Sequence, residues 1–304
     1  MTSVAPPIPQ TAPPRTVTRS RRQRSLSWLA LPALAFFVVF GLVPLVGVLL
    51  LSFTTWDGIG TIHPSGLTSW RAVLSDPGLP HAIGVTFKIM ALSWLFQTPM
   101  SILLGVFIAG HQRYRAVLSV FFFIPLLLSS AAIAITYKAL LDPNFGLGAG
   151  LHIGFLSQDW LGQSNLAVAT VVFVVSWQFI PFHTLIYQGA IRQIPTSMYE
   201  AAEIDGAGQV RIITAIKLPA IRGALMIATI FSIIGSFQLF NEPSILRPLA
   251  LNAITTYFTP NMYAYYLSFS GQQYNYSATI AIVMGVITMI VAYFVQLRGM
   301  RKAV

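Results

Sequence analysis

The sequence predicts an all-α, polytopic membrane protein with six transmembrane helices, and three observations predict it. Of its 304 residues 55% are hydrophobic and only 9% are charged, where an ordinary soluble domain carries about 25% charged residues. Six apolar stretches reach the roughly 20 residues that a bilayer crossing needs. Threaded back and forth, those stretches leave 14 of the 18 lysines and arginines on one side.

Taken in order, residues 1–25 are rich in Pro, Thr and Ser and end in RSRRQRS, the composition of a disordered tail. The apolar run behind it is longer than a signal-peptide core of about 7–15 residues, so a retained tail is expected. Residues 26–304 form the membrane domain. The predicted spans are about 28–53, 83–110, 116–141, 166–189, 223–241 and 277–297. Lys88 and Lys138 lie a turn or two inside span ends, where a long side chain reaches the headgroups.

Orientation follows from the basic residues. Arg15, Arg19, Arg21, Arg22 and Arg24 are in the tail, and Arg113 and Arg115 follow span two. Arg192, Arg211, Lys217 and Arg222 follow span four, and Arg298, Arg301 and Lys302 end the chain. The positive-inside rule makes this side cytoplasmic and puts both termini there. The net charge of +10 is therefore a topology signal, with lipid as the surrounding partner, and not a nucleic-acid footprint. With no cysteine in the chain, disulfides, thiolate metal sites and cysteine nucleophiles are excluded.

The outer segments carry turn chemistry, as in WDGIG, HPSG and SDPG, with Trp56 and Trp70 suited to an interfacial belt. Residues 142–165 read as a Gly-rich outer loop, and residues 242–276 as a long Tyr-rich one, part of it a re-entrant or interfacial helix. Asp57, Asp76, Asp142, Asp159 and Glu242 are scattered singly and read as solvated loop acids.

The most informative stretch is YEAAEIDGAGQVRIITAIKLP, residues 199–219, a polar island between spans four and five. Ser197 and Glu200 have the spacing of a capping box, with the acids expected in the first turns. Gly206 and Gly208 are placed to end that helix. A second helix follows from Gln209, and Pro219 is expected to stop it at Leu218.

Glu200-Ala201-Ala202, Asp205-Gly206-Ala207, Ile216 and Leu218-Pro219 resemble the EAA loop of binding-protein-dependent ABC importer permeases, in the form of the carbohydrate-uptake branch. Where the family often has Phe and T-x-GGP, this chain has Ile213 and SILRPLALN. The resemblance covers nearly all of residues 28–300. It implies that the loop at 190–222 holds a cytoplasmic coupling helix. Glu200, Ala201, Ala202, Asp205, Gly206, Ala207, Ile216, Leu218 and Pro219 would then dock on a separate ATPase. It implies a second, related permease chain (a heterodimer), two ATPase subunits and an extracytoplasmic solute-binding protein, in a bacterial or archaeal plasma (inner) membrane. ATP and Mg would be held by the partner ATPase, with no cofactor on this chain. None of the four lysines follows a glycine, so the P-loop pattern is absent and the chain is read as a non-catalytic transport subunit.

A solute path is sought among polar residues at membrane depth. Gln97, Trp177, Gln178, His183, Ser232, Ser236, Gln238 and Asn241 are the candidates, with Phe237 and Phe240 as further stacking faces. Amides and hydroxyls suit a neutral sugar-like solute, although such groups also join helices to one another. The alternatives are a glycerol-phosphate-type or other small solute, and a secondary transporter. The latter is disfavoured because no carboxylate is predicted at mid-membrane. Pro44, Pro99, Pro125 and Pro181 interrupt the first four spans and are expected to kink them.

Overall fold

The computed structural model describes residues 30–110, 113–155 and 158–301; the predicted tail at 1–25 lies outside them. The chain divides into two compact units, Met1–Gly47 and Val48–Val304. Apart from a two-stranded antiparallel pair, β1 (Thr54–Thr55) with β2 (His63–Pro64), the described structure is helical.

The first span runs Leu31–Leu51 at a mean hydropathy of 2.9, with no side chain of its most apolar window buried. It consists of α1 (Leu31–Phe37), a π-helical turn at Val38–Leu42, and α2 (Val43–Leu51). Proline has no N–H to give its helix and clashes with the preceding turn. The widened turn just ahead of Pro44 lets the helix pass it without breaking.

An amphipathic helix, α3 (Thr68–Ser75), leads into α4 (Gly78–Ile108), which contains the second span. α4 starts five residues before the predicted 83, because the Asp76 carboxylate accepts from the Gly78 amide at 2.7 Å and starts the helix just after Pro77. Pro99 lies inside α4 without ending it.

The predicted third span at 116–141 is not one helix. α5 (Arg113–Leu127) and α6 (Ser130–Leu140) meet at 95°. Pro125 withholds a hydrogen bond from the last turn of α5. Ser129, in an extended conformation, then caps α6 by accepting from the Ala132 amide at 3.2 Å.

A short α7 (Leu147–Leu151) precedes α8 (Ser164–Arg192), the fourth span, in which Pro181 is buried without breaking the helix. α9 (Thr196–Ile204), α10 (Gln209–Ile212), a π-turn at Ile213–Lys217 and α11 (Leu218–Ala220) form the loop that follows. The fifth span comprises α12 (Arg222–Phe237) and, after a break at 238–240, α13 (Asn241–Leu246) with a 3-10 turn at Arg247–Leu249. Residues 242–276 include a helix, α14 (Pro260–Phe269), capped by Thr259, and α15 (Tyr274–Arg301) contains the sixth span. Among the described residues, five helices are long and apolar enough to cross a membrane, or six with the bent α5–α6 pair.

The second unit is held by the α4–α8 seam. Ser93, Gln97, Ser101 and Gly105 recur every four residues and are buried along one face of α4. Gln97 Nε2 donates to Ser176 Oγ at 3.3 Å, and Ser101 Oγ donates to the Ile180 carbonyl at 3.1 Å. Thr184 Oγ1 returns a bond to the Ser101 carbonyl at 3.4 Å. Each such contact between membrane helices is worth about 0.6–2 kcal/mol. Gly105 brings the backbones together: a Cβ there would lie 3.2 Å from Tyr187 Cβ.

Just after α3, Asp76 accepts from the hydroxyls of Tyr263 and Tyr276, and Asn275 Nδ2 donates to Ser69 Oγ at 2.8 Å. These bonds pin α3 to α14 and α15. Partial burial pushes the Asp76 carboxyl up, but the two hydroxyls and the Gly78 amide outweigh it and hold it below its ordinary 3.8.

Candidate functional site: the coupling segment and the polar interior

The segment at 197–219 folds as helix, turn and helix, with its start and its far end built differently from the sequence expectation. The capping box does not form. Pro195, at φ −58° and ψ 138°, is the N-cap, so Ser197 already lies inside α9 and no side chain caps it. Glu200 accordingly falls in the second turn, and the first turn holds no acid. Glu200 and Glu203 instead line a groove of about 1090 Å³ shared with Tyr199, Arg192 and Lys217. Burial raises the Tyr199 hydroxyl above its usual range, and the Lys217 ammonium sits 5.8 Å from the Tyr199 ring.

The stop is closed as a Schellman motif. The Ala207 amide bonds to the Ala202 carbonyl at 2.9 Å and the Gly206 amide to the Glu203 carbonyl at 3.0 Å. Gly206 adopts φ +73°, a left-handed conformation that favours glycine. Its Cβ position is empty to 4 Å, so the requirement is conformational and not steric. Gly208 is extended and precedes α10.

α9 presents an apolar stripe outward. Met198 is 48% and Ile204 86% exposed, and Ala201 lies exposed between them at helical spacing. Ala202, expected on the same docking face, turns inward. With Asp205, Gly206, Ala207, Arg211 and Ile216 it lines a hollow of about 220 Å³. Pro219 does not stop the second helix at Leu218. Leu218 keeps helical angles (φ −63°, ψ −42°) because the π-turn at Ile213–Lys217 absorbs the missing N–H, and the chain breaks later, at Ile221.

The interior candidates do not gather at one place. Gln97 is buried in the α4–α8 seam on Ser176, which is a packing role. His183 is buried and faces Ser232 Oγ at 3.4 Å. Ser236 is buried, and Asn241 Nδ2 donates to Ser130 Oγ at 2.7 Å, tying α13 to α6. Trp177 packs edge-on to Tyr137 at 5.7 Å. Phe237, expected to offer a stacking face, is buried edge-on against Phe87 at 5.2 Å. Gln178 is buried with its Oε1 unpartnered, and Gln238 is exposed where α12 breaks. Glu242, read from sequence as a solvated loop acid, is 4% exposed in the first turn of α13. A surface turn and the N-terminus of a re-entered helix are alike in sequence, and the hidden break at 238–240 is what separates them.

Residues 101–301 match the family described as "Binding-protein-dependent transport system inner membrane component". Among relatives, a diacetylchitobiose uptake system permease protein of Streptomyces coelicolor is 27% identical over 93% of this chain and 84% of its own length. A multiple sugar-binding transport system permease protein of Streptococcus mutans is 26% identical, covering 84% of this chain and 88% of that one. A lactose transport system permease protein of Rhizobium radiobacter is 26% identical over 94% and 99%. In a crystal structure of a bacterial ABC transporter that imports the acidic polysaccharide alginate, one chain superposes at a TM-score of 0.79. It is 23% identical and aligns over 92% of this chain and 96% of its own. With its matched segment running from the last turns of α4 to the end of α15, this chain belongs to the family of binding-protein-dependent transport system inner membrane components.

Proposed function

We propose that the chain is the permease subunit of an ATP-driven importer for a sugar or sugar-like solute. It forms half of the translocation pathway and is driven through residues 197–219 by an ATPase on a separate polypeptide. The observation that carries this reading is the exposed Met198–Ala201–Ile204 stripe on a helix whose end is locked by the Gly206 turn. An amphipathic helix held out in this way fits the groove of a partner. Relatives named for diacetylchitobiose, lactose and multiple sugars support the solute class.

The partners follow from the incompleteness of the chain. One coupling segment and one set of spans make half a pathway, completed by a second, related permease. Two ATPase subunits bind ATP and Mg on the side that also carries both termini. A solute-binding protein delivers from the opposite side, as in the alginate importer crystallised with its periplasmic protein. Closure of the ATPases shifts α9, the two permeases rock as rigid bodies, and the path opens outward.

The test is to purify the complex, identify its subunits, and measure ATP hydrolysis and uptake with neutral saccharides in proteoliposomes. Saccharide-stimulated hydrolysis that disappears in Glu200→Lys and Gly206→Pro complexes is expected. Uptake at normal rates in both variants, or by the chain without any ATPase, would contradict the reading.

A further inference from the structure

The sixth span holds none of the candidate path residues, yet the structure sets an open groove against it, apolar over most of its lining and carrying Gln238, Asn261, Thr288, Tyr293 and Gln296 as its polar groups. The groove runs between α12 and α15, encloses about 550 Å³ and is lined on one side by the end of α12 and Asn261 of α14. On the other side Gly285, Thr288, Tyr293 and Gln296 lie among Ala281, Met284, Met289 and Ala292 along one face of α15. From Ala281 to Gln296, the ends of this α15 face, the lining extends about 22 Å along the helix at 1.5 Å per residue.

Two features set this face apart from a lipid-facing one. The side chains of Gln238, Tyr293 and Gln296 make no hydrogen bond to another described residue. Their hydrogen-bonding groups are therefore open to water or to a solute. The neighbouring exposed face of α15, by contrast, is wholly apolar at Val286, Ile290 and Phe294. The groove also contains no Asp, Glu, Lys, Arg or His. Its size falls within the range of small-molecule sites, about 300–1,000 Å³.

Resting on the permease reading above, we infer that this groove is a wet lane for an uncharged, polyhydroxylated solute. Gln238 and Asn261 receive it at the outer end, and Thr288, Tyr293 and Gln296 hand it along the sixth span. Primary amides both donate and accept, which is what a hydroxyl requires. The Tyr293 ring offers a face to the C–H side of a sugar, and Gly285 leaves the width that a side chain would fill. Without a cation in the lining, the lane lacks the counter-charge that a phosphate ester or a uronate needs.

The chain has no native cysteine, so single cysteines introduced into it report cleanly. The assembled complex, in membrane vesicles, is treated with a small, anionic, water-soluble thiol reagent, and labelling is read on this chain after separation of the subunits. Gly285→Cys, Thr288→Cys and Gln296→Cys are expected to label at least tenfold faster than Ile290→Cys and Phe294→Cys. Equal rates at all five positions would overturn the lane. So would lane positions that react only with an apolar maleimide, or with neither reagent because a partner helix fills the groove. Saccharide uptake by the unaltered complex is measured alongside. Normal uptake with a dry groove removes the lane and leaves the importer reading intact, whereas no uptake by any complex removes the importer reading itself.

Discussion

Gly206 is the residue on which the segment at 197–219 turns. Its φ of +73° and empty Cβ position mean that a side chain meets backbone strain and nothing else. Gly206→Ala is expected to destabilise the turn by about 1–2 kcal/mol and to slow uptake without emptying the membrane of protein. Gly206→Pro is more severe, because it fixes φ near −65° and removes the amide that bonds to Glu203. Immunoblots of membranes set beside uptake rates check both. At Gly105 the constraint is the reverse, since a side chain there meets Tyr187. Gly105→Leu is expected to cost about 1–3 kcal/mol through overpacking, seen as a lower melting temperature of the purified complex. Asp76 gives a pH prediction. Its carboxyl is depressed when folded, so its contribution is present above the ordinary value of 3.8 and is lost as pH falls through the folded value. Asp76→Asn should therefore lower the melting temperature at neutral pH, and the difference from the unaltered chain should shrink under acid below 3.8. A difference that persists unchanged in acid would contradict the role given to the carboxylate.

At the scale of elements, what the sequence left legible and what it hid follow from the range of the interactions. Long apolar runs name themselves, because length and hydropathy are local; five of the predicted spans correspond to helices. The Gly206 stop was legible for the same reason. The 95° bend between α5 and α6 was hidden, because Leu127 and Leu128 continue the apolar run across it and only Pro125 and Ser129 mark the spot. Pro99 and Pro181 carry the same mark and break nothing. Ser129→Ala is accordingly expected to remove the α6 cap at about 1 kcal/mol, read as a loss of thermal stability. Pro44 and Pro219 were expected to interrupt their helices, but a π-turn precedes each and carries the helix past it. The groove beside α15 was hidden because its residues come from three elements, and a serine or glutamine in a span looks the same whether it joins helices, like Gln97, or stands open, like Gln238.

For the whole molecule, the account is of a half-pathway that needs its partners. α9 holds its apolar stripe of Met198, Ala201 and Ile204 exposed, a surface that a partner would cover. The central claim is that a separate ATPase covers α9, and a photo-activatable residue in place of Ile204, which is 86% exposed, tests it most directly. After irradiation of membranes holding the assembled complex, mass spectrometry of the cross-linked species should identify a nucleotide-binding subunit, and Gly206→Pro in the same chain should abolish that product. Cross-links to lipid alone, or to a protein on the outer face of the membrane, would contradict the account.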